Sequence, residues 1–414
     1  MDYQSHVEKA MFLRSEQNVS QVLIPQKRSQ TAKPQKPKQK SFTDPLTGFT
    51  LKKEKKQAVS NISKKNNAQK SRVQAPPEST KQNQTLTVDN APVHHHKVMP
   101  NLDLQGHDFS HFDLKLSDFS GLLLRDAKFC GADLYGANFQ ESDLKNVDFS
   151  NSDMEEANLS LANLTQAVLG GSNLSFVMAY TANLSKSNVM YADFSHADLR
   201  EVDLYEAEMQ YSNFHGTHLS FAYLSHANFS GAKLSQVNCR EAILNDATGC
   251  QANLQQAIFL KTNFSKIDLS NADLTDAKLQ CSIFKDATLV GVRLTGANLA
   301  IASFVRSDLR QANLNQVKAH RAIFDQANLE RASLIDAQLE ASTFVDANLS
   351  RAFLQQANLA KANLAGANLS EANLRGADLR GANLKHTNLR GANLRGAKVD
   401  KDTLAMAQTK GALL

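Results

Sequence analysis

The stretch EANLRGADLRGANLKHTNLRGANLRGAKV at residues 371–399 repeats one five-residue unit: a small residue, Asn or Asp, Leu, a polar residue, and Gly or a polar residue. The same register runs from Leu104 to Val399 without insertion or deletion, which gives sixty units. The central residue is Leu or Phe in 52 of these units, and Ala stands two residues earlier in 37. Self-similarity at a short, fixed period is typical of a solenoid, so the repeat indicates the fold class before any other feature.

Each position of the unit has a predicted role, counted from its central residue i. Alternate residues of an extended chain point to the same side, so we expect the side chains at i and i−2 to face the interior. Position i−2 is Ala, Ser, Thr or Val in 55 units, which predicts a narrow interior. Position i−1 is Asn or Asp in 37 units, and these residues bind nearby backbone in tight turns. Each unit is therefore predicted to be a short extended segment followed by a turn.

The spacing of phenylalanines predicts how many units make one coil. A core ladder of five recurs every twenty residues: Phe264, Phe284, Phe304, Phe324 and Phe344. Large identical side chains gain most when they stack on one another, so twenty residues, or four units, are expected to form one coil. Sixty units then predict about fifteen four-sided coils. At a strand spacing of ~4.8 Å the rod would be roughly 70 Å long.

With this five-residue unit, the chain resembles the pentapeptide repeat proteins, whose motif is written A(D/N)LXX. The match covers about 300 residues and stays in register throughout. The resemblance implies an all-β fold, a right-handed quadrilateral β-helix. The handedness comes from the resemblance, whereas the coil period comes from the phenylalanine spacing.

Composition divides the chain into three parts. All eight prolines lie in residues 1–100, and the repeats contain none, as a ladder that uses every backbone N–H requires. Residues 1–100 are rich in Lys, Gln, Ser and Pro, which predicts a disordered basic arm with a short helix near residues 5–15. Residues 101–400 are the predicted β-helix. Residues 401–414 leave the pattern and are predicted to form a short capping helix.

Charge follows the same division. Residues 1–100 hold 18 Lys/Arg against 7 Asp/Glu, or +11, and the remainder holds 28 against 34, or −6. The basic arm suits binding to nucleic acid or to an anionic membrane. No aromatic residues alternate with its lysines, and a solvated linker is the alternative. The four cysteines show no CxxC pair, which favours a reduced, cytoplasmic protein. No secretory signal or transmembrane segment is visible, and signal-less secretion stays open.

No catalytic pattern emerges from the chain. It contains no GxSxG, GxxxxGK[ST] or HExxH motif, and its Asp residues are spread along the repeats as turn formers. A rod with a filled interior offers no cleft. The sequence therefore predicts that the protein is not an enzyme and needs no cofactor or metal.

Two outward-facing groups of residues depart from the repeat. On the side of the predicted ladder, β-branched residues replace polar ones at Ile243, Ile283, Val305, Ile323, Thr343 and Val345. An apolar stripe indicates a partner-binding face, although β-branched residues also stabilise a strand by themselves. Near the C-terminus a basic belt at i+1 comprises Arg375, Arg380, Lys385, Arg390 and Arg395, which suits either an acidic partner or solubility. Small centres at Ala179, Gly249 and Ala319 predict local voids or kinks, with neutral variation as the alternative.

These features favour a non-enzymatic protein–protein interaction scaffold with an unidentified protein partner. A homodimer through an end or one face is a further expectation. The first alternative comes from a branch of the family that resembles B-form DNA and binds the type II topoisomerase gyrase, giving protection or inhibition. The net charge of −6 on residues 101–414 is low for that role. The second alternative is a host-directed bacterial effector or adaptor tethered by its basic arm.

Overall fold

The computed structural model of the protein describes residues 103–401 and 411–413. The described residues all belong to a single compact unit of the chain. The predicted basic arm, its short helix near residues 5–15 and most of the predicted C-terminal cap lie outside the described residues.

The repeats wind into a β-helix whose strands are single bridge residues. The residue at i−1 of each unit pairs in parallel with the residue twenty positions later, from Asp103 with Leu123 through to Asp378 with Lys398. Four units therefore make one coil. We number the four faces by their first central residues: the first face begins with Leu104, the second with Phe109, the third with Leu114 and the fourth with Phe119.

The corners between faces are tight turns. In the unit centred on Phe264, the N–H of Ile267 donates to the carbonyl of Phe264 at 3.2 Å, and Lys266 has a φ of +58°. The side chain of Asn263 accepts a hydrogen bond of 3.0 Å from the N–H of Ser265. This bond is why Asn and Asp suit position i−1, since a short polar side chain there holds the backbone as it turns. The backbone N–H of Phe264 donates to the carbonyl of Ile283 in the following coil at 2.7 Å.

The interior is filled by the side chains at i and i−2. Neighbouring rings of the five-phenylalanine ladder stack with centroids 4.5 to 5.0 Å apart and planes within 8° of parallel. In the first coils, phenylalanines of the second and fourth faces meet edge to face, as Phe129 and Phe139 do at 5.7 Å and 88°. Such contact across the interior shows that it is only two side chains wide, as the small residues at i−2 predict.

The small central residues leave no gap in the backbone ladder. Ala179 donates to Asp198 at 2.9 Å and Ala319 donates to Gln338 at 2.8 Å. A Cβ atom added to Gly249 would lie 2.0 Å from Cε2 of Phe229, one coil earlier. The predicted void at this position is therefore wrong, because the Phe229 ring leans over Gly249 and fills the space that a side chain would occupy.

The last described residues extend the ladder beyond the repeats. Leu413 forms a parallel bridge with Asn393, and its N–H donates to the carbonyl of Ala392 at 2.8 Å. The N–H of Leu394 in turn donates to the carbonyl of Leu413 at 2.7 Å. Residues 411–413 thus cover backbone donors of the units centred on Leu389 and Leu394.

Candidate interaction surface

The predicted apolar stripe lies on the first face, but its side chains are only half-exposed. All six (Ile243, Ile283, Val305, Ile323, Thr343 and Val345) fall in the intermediate range between buried and exposed. Polar residues interrupt the stripe, because Asn263 and Ser303 occupy the bridge positions between Ile243, Ile283 and Ile323. Bridge residues on neighbouring coils cover one another, which limits how much of each side chain a partner can reach.

The predicted basic belt is fully on the surface. All five side chains (Arg375, Arg380, Lys385, Arg390 and Arg395) are exposed. Arg380 chelates Asp378 through Nη2 at 2.6 Å and Nε at 2.9 Å. Among the described residues, Arg375, Arg390 and Arg395 form no ion pair.

The largest exposed apolar region lies elsewhere. Nine of the fifteen exposed large apolar or aromatic side chains among the described residues fall between residues 161 and 221, a span of about three coils. Six of them define what we call the aromatic surface, which wraps around the rod from the corner between the second and third faces to the corner between the fourth and first faces. They are Tyr191 and Tyr211 at the first of these corners, Phe176 at the corner between the third and fourth faces, Met178 and Tyr180 on the fourth face, and Phe221 at the last corner. Concentrations of exposed apolar side chains are typical of contact sites in soluble proteins, so this region is the candidate interaction surface.

Four rings of the aromatic surface occupy an unfavourable backbone conformation. The φ angles of Phe176, Tyr191, Tyr211 and Phe221 are +57°, +61°, +60° and +63°. A left-handed conformation costs an ordinary L-residue roughly 1–2 kcal/mol, and Gly or Asn adopts it more readily. The same φ recurs at the other corners of the β-helix, as at Leu161 and Ile301, so it belongs to the repeat and not to these rings alone.

The corner side chains lean toward the following coil, which orders the rings. Tyr191 stacks on Tyr211 at 5.4 Å, and Tyr211 in turn lies over Gly231, where an added Cβ would be 2.6 Å from its ring. Gly171 precedes Tyr191 by one coil and has no side chain. Tyr191 is 64% exposed.

The charge around the aromatic surface is strongly negative. Residues 151–230 hold nine Asp/Glu and two Lys/Arg, a net charge of −7. Both basic side chains are paired: Lys186 lies 3.6 Å from Glu206, and Nη2 of Arg200 lies 2.6 Å from Asp198. The Arg200 guanidinium also sits 5.6 Å from the centre of the Tyr180 ring. The surface thus already holds one arginine by a carboxylate and a ring together.

Hydrogen bonds shift the ionisation of groups in this region. The hydroxyl of Tyr180 donates to Glu201 at 3.1 Å, which raises the pKa of Tyr180. Partial burial opposes ionisation of Asp198, but its hydrogen bonds from Arg200 prevail and lower the pKa of that carboxyl. Both groups therefore keep their usual charge near neutral pH, and the surface keeps its negative potential.

The described residues provide no metal site and no membrane span. His196, His215 and His218 lie in adjacent coils, yet no group of three His, Cys, Asp or Glu side chains among the described residues is placed to hold a metal ion. Within residues 103–401 and 411–413 no helix has the length and apolar character that crossing a bilayer requires.

Comparison with known proteins agrees with the geometry. The family profile "Pentapeptide repeats" matches ten overlapping or adjacent segments between residues 113 and 396. The chain belongs to the pentapeptide repeat family. Among curated proteins, none matches this sequence.

Solved structures of pentapeptide repeat proteins are similar to parts of this chain. A protein of the Arabidopsis thaliana thylakoid lumen is 40% identical over 23% of this chain and 66% of its own, with a TM-score of 0.23. HetL, a protein of the cyanobacterium Nostoc involved in heterocyst differentiation regulation, is 29% identical over 68% of this chain and 90% of its own, with a TM-score of 0.13. QnrB1, a plasmid-mediated fluoroquinolone resistance protein, is 20% identical over 54% of this chain and 94% of its own, with a TM-score of 0.25.

The sequence prediction missed the aromatic surface because it weighed the wrong position of the pentapeptide repeat. The predicted stripe drew on i−1 and, at Val305 and Val345, on i+1, whereas four of the exposed rings stand at i+2, as Phe176 and Tyr191 do. The signal was present, since Phe176, Tyr191, Tyr211 and Phe221 interrupt a position otherwise dominated by Gly and polar residues.

Proposed function

We propose that this pentapeptide repeat protein is a non-enzymatic protein–protein interaction scaffold that binds a protein partner on its aromatic surface. The observation that carries the proposal is the concentration of nine exposed large apolar side chains between residues 161 and 221. Tyrosine and other aromatic side chains dominate the binding energy of many interfaces, because they bury a large area at a small entropic cost.

The scaffold supports this role by holding its side chains in place before binding. The backbone beneath each ring donates to the next coil, as Tyr191 does to Gln210 at 3.2 Å and Phe221 does to Arg240 at 2.9 Å. Ordering of loops and side chains is a main cost of association, so a surface built on a continuous ladder loses less free energy on binding than a flexible one.

The test uses a variant of the full chain that removes the rings without disturbing the turns. Phe176→Asn, Tyr191→Asn, Tyr211→Asn and Phe221→Asn place at each corner a residue that adopts positive φ easily, as Asn146 and Asn151 already do here. The matched control is Ile301→Asn, which changes an exposed side chain with a φ of +61° on a distant coil.

We expect the control to capture the same partner from cell extract as the parent chain, and the four-site variant to lose it with an unchanged circular dichroism spectrum. The captured protein is then purified and its affinity for each variant measured directly. Equal affinity for the parent and the four-site variant would remove the aromatic surface as the binding site. The first-face stripe remains a proposed second contact, and Ile283→Asp with Ile323→Asp tests it in the same assay.

A second candidate function is binding to gyrase as a mimic of DNA. It is favoured by the uneven charge of the β-helix, because residues 101–230 hold 18 Asp/Glu against 6 Lys/Arg, a net charge of −12. Such a segment has the acidic character that a DNA-binding groove recognises. A gyrase supercoiling assay tests it, and absence of both inhibition and drug protection at micromolar protein rules it out.

The handedness and number of the coils, the cellular location and the role of the basic arm are also proposals. The resemblance and the twenty-residue bridge spacing support a right-handed rod of about fifteen coils closed by a C-terminal cap.

The absence of a disulfide among Cys130, Cys239, Cys250 and Cys281 supports a cytoplasmic location, which cell fractionation tests. An effector or adaptor tethered by its basic arm predicts salt-dependent binding to DNA or anionic vesicles that is lost when residues 1–100 are deleted.

A further inference from the structure

Ion pairs of the β-helix often join side chains one coil apart. The twenty-residue register places such side chains over one another, so an acidic residue at one position suits a basic residue at the same position of the next coil. Six ion pairs among the described residues have this separation: Lys186 with Glu206, Glu241 with Lys261, Asp246 with Lys266, Asp273 with Arg293, Asp286 with Arg306, and Arg351 with Glu371. Charges on this β-helix are thus commonly matched along its axis.

One pair of basic side chains departs from this matching. Three basic pairs among the described residues stand in register one coil apart: Arg125 with Lys145, Arg331 with Arg351, and Arg375 with Arg395. The first two pairs each include an arginine held by a carboxylate, that of Asp143 at 2.6 Å and that of Glu371 at 2.9 Å. Neither Arg375 nor Arg395 forms an ion pair among the described residues. Their mutual repulsion is therefore not offset by any carboxylate of the described chain.

Arg375 and Arg395, which we call the arginine pair, lie side by side on the third face. Both stand at i+1 of their units, and both are exposed. The N–H of Gly376 donates to the carbonyl of Arg395 at 3.0 Å, which joins the two backbones directly. The side chains therefore leave the backbone one strand spacing apart, or ~4.8 Å. Two guanidinium groups so placed can contact one small anion together.

The acidic side chains near the arginine pair in sequence are already engaged. Glu371 accepts a hydrogen bond of 2.9 Å from Nε of Arg351. Asp378 is chelated by Arg380, which donates from Nη2 at 2.6 Å. Either carboxylate would have to leave its present partner to reach the arginine pair. The pair is thus open to an anion from another molecule.

Glycine corners leave the arginine pair accessible. Gly376 and Gly396 follow the two arginines, and Gly391 forms the corner before Arg395. A Cβ atom added to Gly396 would meet no other atom within 4 Å. Across the Gly391 corner, on the second face, Arg390 is also exposed and forms no ion pair among the described residues. A ligand that spans this corner can therefore contact a third guanidinium.

We infer that the arginine pair binds a phosphate group carried on a side chain of a protein partner. A phosphate monoester carries about −1.5 to −2 charges at neutral pH and three strong acceptor oxygens, so a single group can neutralise both arginines. A carboxylate carries one negative charge and suits one guanidinium. The site lies on the last coils, away from the aromatic surface, so the inference goes beyond the proposed function and does not depend on it.

A phosphate attached to a protein chain fits this face better than a free ion does. The arginine pair stands on an open face, whereas small ligands are usually held in concave sites that surround them. An acidic residue beside the phosphate would meet Arg390 and add a further charge-assisted hydrogen bond. The expected ligand is therefore a phosphorylated Ser or Thr next to an acidic residue.

The test measures binding of a short labelled peptide to the full chain by fluorescence anisotropy at low ionic strength. The probe carries a central phosphoserine between two Asp residues. Two comparison peptides have Ser or Glu in place of the phosphoserine. Inorganic phosphate, added as a competitor, distinguishes a free ion from a phosphorylated side chain.

Two single variants, Arg375→Gln and Arg395→Gln, each remove one member of the arginine pair. Glutamine fits this position, because Gln355 occupies it one coil before Arg375. The matched control is Lys385→Gln, which removes one charge of the basic belt from the first face, opposite the third. Gln105 occupies the same position on that face. Circular dichroism checks that each variant is folded.

We expect the phosphoserine peptide to bind the parent chain about tenfold or more tightly than either comparison peptide. Each arginine variant should bind it about tenfold or more weakly, because each loses a hydrogen bond between charged groups. Lys385→Gln should change the affinity by less than about twofold, since an exposed charge on the opposite face contributes little. Inorganic phosphate should displace the probe only at concentrations about tenfold or more above that of the unlabelled peptide.

Equal binding of the phosphoserine peptide and either comparison peptide would overturn the inference, as would unchanged binding in both arginine variants. A loss in Lys385→Gln as large as in the arginine variants would show that general positive charge, and not the pair, attracts the peptide. Displacement by inorganic phosphate at the same concentration as the peptide would contradict the assignment to a phosphorylated side chain. The aromatic surface takes no part in this test, so either proposal can fail while the other stands.

Discussion

Replacement of Gly249 by alanine should destabilise the β-helix by overpacking its interior. The added Cβ would lie 2.0, 2.5 and 2.8 Å from three carbon atoms of the Phe229 ring. Carbon atoms pack favourably at about 3.5–4.0 Å, so the ring or the backbone must move by about 1.5 Å or more. Insertion of a methyl group into a packed core typically costs about 1–3 kcal/mol. Because ring atoms are rigid and three are affected, we expect a value near the upper end.

A second substitution tests the physical reason. Phe229→Leu removes the ring that leans over Gly249, and by itself it should cost about 1–2 kcal/mol through lost packing. The double variant Gly249→Ala with Phe229→Leu should be more stable than the sum of the two single effects predicts. We expect a coupling of about 1–3 kcal/mol, since the two sites are in direct contact.

The assay is urea unfolding followed by far-UV circular dichroism, because the chain contains no tryptophan to report by fluorescence. Gly170→Ala is the matched control. An added Cβ there would meet only the carbonyl oxygen of Met190, at an ordinary 3.6 Å. It should change the unfolding free energy by no more than about 0.5 kcal/mol. Equal stability of the two alanine variants, or strict additivity with Phe229→Leu, would refute the explanation.

Other predictions concern buried and titrating side chains. Ser282→Ala should cost about 0.5–1.5 kcal/mol, because its buried hydroxyl donates to the carbonyl of Phe259 at 2.6 Å. Ser187→Ala should be neutral or stabilising in the same unfolding assay, because the buried Ser187 hydroxyl has no hydrogen-bond partner among the described residues. Desolvation lowers the pKa of His218 in the folded chain, so the unfolded chain takes up the proton first as pH falls below about 6.5. The free energy of unfolding should therefore decrease below that pH. The decrease between pH 7.5 and pH 5.5 should be smaller in His218→Asn than in the parent chain. Burial raises the pKa of Asp203, which makes its carboxylate unfavourable at neutral pH, and Asp203→Asn should raise the melting temperature at pH 7 with a gain that shrinks on acidification.

Much of the fold could be predicted because the repeat has one dominant period. The phenylalanine ladder from Phe264 to Phe344 shows both which side chains enter the interior and how many residues make one coil. The first property follows from the side toward which each residue of an extended segment points, and the second from identical side chains at a fixed spacing. Both can be read directly from the sequence.

The surface was harder to predict because exposure depends on the neighbouring coils. Ile283 and Ile323 were expected to face solvent, yet bridge residues on either side leave them half-buried. Tyr191 stands at a corner, where the backbone turns the side chain outward, and it is mostly exposed. Likewise, the filling of the space at Gly249 depends on the direction in which Phe229 leans, which no count of residue types reveals.

The lean of each corner side chain toward the next coil also limits how this chain can change in length. Tyr211 rests over Gly231 and His196 over Gly216, each pair separated by twenty residues. Insertion of a single five-residue unit would preserve the turn pattern locally but would shift every later corner by one face, so that these rings would meet a different residue. Insertion of twenty residues would add a layer and keep all other pairs aligned. The unit that can be duplicated or deleted without repacking is thus the whole coil, although the unit visible in the sequence is only a quarter of it.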